Sequence, residues 1–214
     1  MRAVSGQPEE LAARVEALLA KPYPTTKEME AFCNHARLQG YRSVVVASSF
    51  VELCYDFVAD EEMKVCCLVG YPFGQSEADV KRYEVELAAE AMAHEIELVP
   101  SISKLMEGKY AEVLREIRDV VEAAEERPVR VSIDSALWSE AQLGEVIRMV
   151  LDSGAQYLST SVAPALKGPV TEAEVQKLRE LVGVSFGLKV GGMKSLEAVD
   201  QLLMAGADRI GLLV

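Results

Sequence analysis

Four short segments set hydroxyls, carboxylates or cations within apolar runs, at spacings that let a strand turn one polar side toward a pocket. In GAQYLSTSVAP (Gly154 to Pro164), Tyr157, Ser159 and Ser161 share one face, and Leu158 and Thr160 share the other. In VRVSID, Arg130, Ser132 and Asp134 alternate with Val129, Val131 and Ile133; in EIELV the polar face is Glu95 and Glu97. FGLKV carries Lys189 and runs directly into Gly191-Gly192. An amine can condense with a carbonyl, a carboxylate can move a proton, and a glycine turn can offer N–H groups to an anion.

Each residue also has a plainer reading. Ser159 lacks both a G-x-S-x-G setting and a neighbouring histidine to activate it, so it reads first as a small inward residue satisfied by water or a neighbour. Lys189 reads as a buried amine paired with Glu97 or Asp134. Its catalytic reading requires Arg130 to depress its pKa in a closed pocket. Gly191-Gly192 fits a tight turn as well as an anion site.

The elements that would position these residues recur along the chain. SVVVA (Ser43 to Ala47), KVCCLVG (Lys64 to Gly70), EIELV, VRVSID, YLSTS, FGLKV and DRIGLL (Asp208 to Leu213) are seven strand-like runs separated by helical stretches. Intervals of roughly 20 to 35 residues fit βα units, whose right-handed crossovers impose a parallel sheet. In an open doubly wound sheet both faces are buried and apolar. Strands with one greasy and one polar side fit a closed (βα)8 TIM barrel with its pocket at the carboxyl ends of the strands. A flavodoxin-like sheet is the competing fold, and it would bury the charges against helices.

At the start, Leu11, Val15, Leu18 and Leu19 fall at helical spacing, which predicts a helix through Leu19 and an altered first stave. A second helix starts after Thr25 or Thr26, and a third is expected from Ser76 to Ala93 with Ser76 and Asp79 as a capping box. The chain of 214 residues is read as one domain without repeat or linker.

A net charge of −12 disfavours nucleic acid and anionic membrane as partners. MRAVSGQPEE has no hydrophobic signal core, which gives a cytoplasmic expectation. Cys33, Cys54, Cys66 and Cys67 form no CxxC pair and read as buried free thiols; His35 and His94 stand apart, so no metal and no cofactor are expected.

Longer motifs carry a resemblance. KVCCLVGYPFGQSEADVK (Lys64 to Lys81) matches V-C-T-V-I-G-F-P-L-G-x-x-x-x-x-x-K, with Glu84 and EIELV following in register as for E-I-D-M-V. GAQYLSTSVAP matches G-A-D-F-V-K-T-S-T-G-F, Gly183 to Gly192 matches V-G-x-x-x-G-V-K-A-S-G-G, and MAGADRIG (Met204 to Gly211) matches I-x-A-G-A-x-R-I-G. These ordered matches resemble the deoxyribose-phosphate aldolase family of class I aldolases. The resemblance implies a TIM barrel that makes or cleaves 2-deoxyribose 5-phosphate through an imine on the lysine of K-T-S-T, assisted by a second lysine and an aspartate.

Carried over by position, the imine lysine is Ser159, the second lysine Lys189, the aspartate Glu97 and the strand-five lysine Arg130. VEALLAKP (Val15 to Pro22) weakly resembles I-D-H-T-L-L-K-P, with Glu16 for the aspartate. Lys189, Glu97 and Ser159 are thus the candidate catalytic positions, and Gly191, Gly192, Lys194 and Arg130 the candidate substrate and phosphate contacts. The phosphate handle is expected to be half lost: R-I-G-T-S-S reads Arg209 to Val214 as RIGLLV, and S-T-G-F reads Ser161-Val162-Ala163-Pro164. Two functions follow. One is an aldolase-like barrel without the parent reaction, kept for binding or regulation; the other is an active lyase in which Lys189 forms the imine or relays protons. Either would receive a small aldehyde or sugar phosphate, and the resemblance implies a homo-oligomer, a dimer.

Overall fold

The computed structural model describes residues 8–19, 21–58, 62–161 and 170–214. The strands are β1 Val15–Leu18, β2 Ser43–Ala47, β3 Lys64–Val69, β4 Glu95–Leu98, β5 Val129–Ser132, β6 Tyr157–Ser159, β7 Gly187–Met193 and β8 Arg209–Leu213. All eight pair in parallel in sequence order, and β1 also pairs with β8, so the sheet closes into a barrel. Around it lie α1 Pro8–Ala12, α2 Thr26–Leu38, α3 Val51–Val58, α4 Ala78–Glu90, α5 Ile102–Met106, α6 Tyr110–Ala123, α7 Glu140–Leu151, α8 Glu172–Val182 and α9 Val199–Met204. This is the (βα)8 architecture, and the flavodoxin-like alternative fails because β1 and β8 join. Among the described residues, no helix is long and apolar enough to cross a membrane.

The first stave corrects the sequence reading. The helix ends at Ala12, and Val15–Leu18 is a fully buried strand. Val15 and Ala17 face outward into the main core, while Glu16 and Leu18 face into the barrel. Hydrogen bonds to two neighbouring strands satisfy this backbone, which outweighs the fortuitous helical spacing of four apolar residues. A second correction concerns α4, which starts at Ala78 with Glu77 as N-cap and no side-chain capping bond. Ser76 lies too early to serve, and the left-handed Met92 (φ 67°) ends the segment ahead of β4. Of the two caps considered for α2, Thr25 is the one that serves, and it forms a capping box with Glu28.

The outward residues of every strand join the apolar faces of the helices in one core, exemplified by Val131, Leu158, Leu188 and Ile210. All four cysteines are buried free thiols: Cys66 faces the barrel interior, and Cys33, Cys54 and Cys67 lie in the outer core. The interior is filled by side chains that two glycines accommodate. A Cβ on Gly187 would lie 2.0 Å from the Tyr157 ring, and one on Gly211 would lie 2.8 Å from Cε of Lys189.

Because the Tyr157 ring occupies the space above Gly187, Gly187→Ala forces the whole ring to move. It is expected to lower unfolding free energy by about 1–3 kcal/mol, read from urea denaturation; an unchanged midpoint would remove this account of the packing.

Candidate active site

Alternation on five strands brings six charged side chains together inside the barrel. Glu16 comes from β1, Glu95 and Glu97 from β4, Arg130 from β5, Lys189 from β7 and Arg209 from β8, and all are buried. Arg130 Nη1 lies 2.7 Å from Glu16, its Nη2 2.9 Å from Glu95 and its Nε 3.3 Å from Glu97. Arg209 Nη1 reaches Glu95 at 2.6 Å and Glu16 at 3.0 Å, while its Nη2 donates to the Tyr157 hydroxyl at 2.9 Å. Lys189 Nζ sits 2.6 Å from Glu97 and 3.0 Å from Glu16. Lys189 points inward, over Gly211. Its partners are Glu97, as expected, and Glu16.

Three carboxylates thus face three cations, and Arg42 reaches Glu95 from the amino end of the barrel at 3.1 Å. Enclosure makes each charge costly to leave alone and each pairing strong. Burial pushes Glu16 up, but Arg130, Lys189 and Arg209 outweigh it and hold the carboxyl well below the usual range. Glu95 is likewise lowered: burial and Glu16 raise it, and Arg130, Arg209 and Arg42 prevail. For Lys189, burial favours the neutral amine, yet Glu16 and Glu97 outweigh both burial and the repulsion of Arg130, so its pKa is raised. This direction accords with the buried, paired amine rather than with the catalytic reading that needs Arg130 to depress the pKa of Lys189. Burial pushes the Cys66 thiol up to about 12, which keeps it protonated at neutral pH.

Closer to the carboxyl ends, Ser132, Ser159 and Lys189 are register neighbours on β5, β6 and β7. Ser132 donates to Glu97 at 3.0 Å, and Ser159 donates to the Ser161 carbonyl at 3.3 Å. Gly191 is needed for a close approach, since a Cβ there would lie 1.5 Å from the Ser161 oxygen. Its N–H donates to the Thr160 hydroxyl at 3.1 Å. Gly192 has φ 75°, in the left-handed region that favours glycine, and Lys194 is exposed beyond it. Arg130, grouped by sequence with the phosphate contacts, is instead enclosed among glutamates deeper in the barrel. The turn containing Val162-Ala163-Pro164 lies outside the described residues.

Two buried side-chain systems tie down the rim. Lys81 Nζ donates to the Gly74 carbonyl and lies against Glu116, both at 2.7 Å, and Glu116 accepts the Ser101 N–H at 3.1 Å. Glu84 accepts from Gly70 N–H at 3.1 Å and from Ser48 Oγ at 2.8 Å. The loops after β2, β3 and β4 are therefore held by residues of α4 and α6. This gives a structural account of Lys81 and Glu84, the lysine and glutamate in the longest motif.

Sequence reasoning brought Lys189, Glu97, Ser159 and Arg130 into one barrel but omitted Glu16, Glu95, Arg209 and Ser132 from the candidate site. Glu16 was signalled only by its place at the aspartate of I-D-H-T-L-L-K-P, obscured by the helical reading. Glu95 and Ser132 were visible as polar members of alternating strands. Arg209 was visible as the arginine of R-I-G. Among the described residues, no group of three or more His, Cys, Asp or Glu side chains is arranged to hold a metal ion.

No family model matches the chain. It is 32% identical to a deoxyribose-phosphate aldolase of Thermoanaerobacter sp. (strain X514), over 94% of this chain and 92% of that one. It is 33% identical to a deoxyribose-phosphate aldolase of Clostridium botulinum (strain Okra / Type B1), over 94% and 95% of the two chains. A tetrameric deoxyribose phosphate aldolase structure from Aeropyrum pernix superposes with a TM-score of 0.86 at 27% identity, covering 96% of this chain and 87% of that one.

The charge cluster dictates the response to pH and truncation. Glu16 and Glu95 have lowered folded pKa values, so their contribution is complete above the unfolded value near ~4.3 and is lost as pH falls below it. Lys189 has a raised value, so its contribution persists to about pH 10 and is lost only in stronger base. Urea midpoints are expected to drop steeply below about pH 4.5, and a flat profile to about pH 3 would contradict the cluster. Lys189→Met leaves Glu16 and Glu97 short of a counter-charge and should cost about 3–5 kcal/mol at pH 7 by urea denaturation.

Proposed function

Because the chain belongs to the deoxyribose-phosphate aldolase family, we propose that it keeps the family's barrel and carbonyl-facing site but has lost imine formation on the sixth strand, and serves a binding or regulatory role. The reading rests on one observation. The inward residue of β6 beside Lys189 is Ser159, whose hydroxyl cannot form a cationic imine and whose proton is directed to the Ser161 carbonyl. The neighbouring amine is no ready substitute. Imine formation needs a free electron pair on nitrogen, and Glu16 and Glu97 stabilise the ammonium of Lys189.

An ammonium in this position can donate a hydrogen bond to a carbonyl or hydroxyl oxygen, oriented by Glu97, which Ser132 in turn holds through its hydroxyl. That suits recognition of a small aldehyde, ketone or sugar. Glu97, at 2.6 Å, also supports the second reading, in which it takes the Lys189 proton and frees the amine for attack.

Incubation with acetaldehyde or 2-deoxyribose 5-phosphate, borohydride reduction and peptide mapping separate the two. No reduced adduct is expected on Lys189; stoichiometric labelling there would establish the active lyase instead. Ser159→Lys restores an amine beside Lys189 and should yield an adduct on residue 159 together with measurable retro-aldol turnover. Turnover of the sugar phosphate by the unaltered chain would overturn the proposal.

A further inference from the structure

The barrel interior holds two kinds of surface. The charges of Glu16, Glu95, Glu97, Arg130, Lys189 and Arg209 form one network, with Ser132 bonded to Glu97 and Ser159 the register neighbour of Lys189. Leu18, Val45, Cys66, Leu68 and Val99 form an apolar cluster separate from the main core, with Ile102 and Leu213 packed against it, and it meets the charges where Arg130 donates to Cys66 at 3.1 Å. These residues are contiguous: Leu18 is the register partner of both Val45 and Leu213, and Val45 of Cys66. They approach the carboxyl ends of the strands, where Leu213 and Ile102 are half-buried. Ala47 has the inward parity of Val45 and pairs with Leu68 at the end of β2, yet it is exposed, so the mouth is open above this apolar wall.

The enclosed cations offer no uncompensated charge to an anionic ligand end. Arg130, Arg209 and Lys189 are each bonded to at least two of the three enclosed carboxylates. Arg42 lies at the amino end, away from the mouth, and reaches Glu95. The two serines of the related R-I-G-T-S-S stand here as Leu213 and Val214, so the eighth strand brings a hydrocarbon to the rim where hydroxyls would serve an anion.

We propose that the site takes a neutral carbonyl compound with a short aliphatic chain, its oxygen toward Lys189 and Ser132 and its chain along the rim of the apolar cluster, at half-buried Leu213 and Ile102 and exposed Ala47, rather than a phosphorylated sugar. This rests on the preceding reading that the site receives carbonyl compounds. It names the substrate class and is independent of whether an imine forms.

Isothermal titration of the full chain with 2-butanone, 2-pentanone, 2-hexanone and 2-heptanone tests it, with 2-deoxyribose 5-phosphate and inorganic phosphate as comparators. Each methylene laid on the apolar wall should tighten binding by about three- to fourfold until the wall is covered. Leu213→Ser, at a half-buried strand end, should flatten that increment. Ala47→Trp should block the entrance and abolish ketone binding while leaving the Lys189–Glu97 pair intact. Affinity independent of chain length, no saturable ketone binding, or tighter binding of deoxyribose phosphate than of 2-hexanone would overturn the proposal. Borohydride labelling of Lys189 alongside a normal chain-length series would instead refute the imine-free reading and leave this one standing.

Discussion

Three glutamates and three cations enclosed within the barrel must neutralise one another, because water cannot reach them to do so. That requirement explains why β1 matters beyond closing the sheet. Glu16 is the carboxylate shared by Arg130, Arg209 and Lys189, residues supplied by three other strands. Closure of the barrel and neutralisation of its interior are therefore coupled. A strand that failed to form at residues 15–18 would leave two arginines and a lysine short of an acceptor.

The same compensation sets the chemistry available to Lys189. A lysine becomes a nucleophile when burial or a nearby cation removes its proton, and Arg130 provides such a cation in this interior. Two carboxylates nearer the amine reverse the balance. Lys189 is thus held in the form suited to hydrogen bonding.

Around this interior the helices do more than cover the strands. Lys81 and Glu116 form a buried pair whose remaining hydrogen bonds go to the backbone of two rim loops, and Glu84 joins a third. For Lys81, burial outweighs its glutamate partner and lowers its pKa. Its ammonium nonetheless has both Glu116 and a carbonyl to satisfy it, which makes the pair a fastening between helix and loop. The close approach of Gly74 to Pro100 is the packing counterpart of that fastening: a Cβ would lie 1.9 Å from the Pro100 oxygen.

Alternation of apolar and polar residues along strands such as Val129–Ser132 and Glu95–Leu98 was enough, by itself, to distinguish a barrel with a polar interior from an open sheet. The ordered motifs identified the aldolase resemblance, and position alone placed Ser159 where an imine lysine was expected. These are local properties, written in residue type and spacing. The sequence did not reveal β1, because four apolar side chains at helical intervals are compatible with either element until β2 and β8 supply hydrogen-bond partners. Nor did it reveal the protonation of Lys189, which depends on the distances to Glu16, 173 positions away in the chain, and to Glu97, 92 positions away. Electrostatic energy is decided by separation in space and by exclusion of water, and only the closed barrel specifies both.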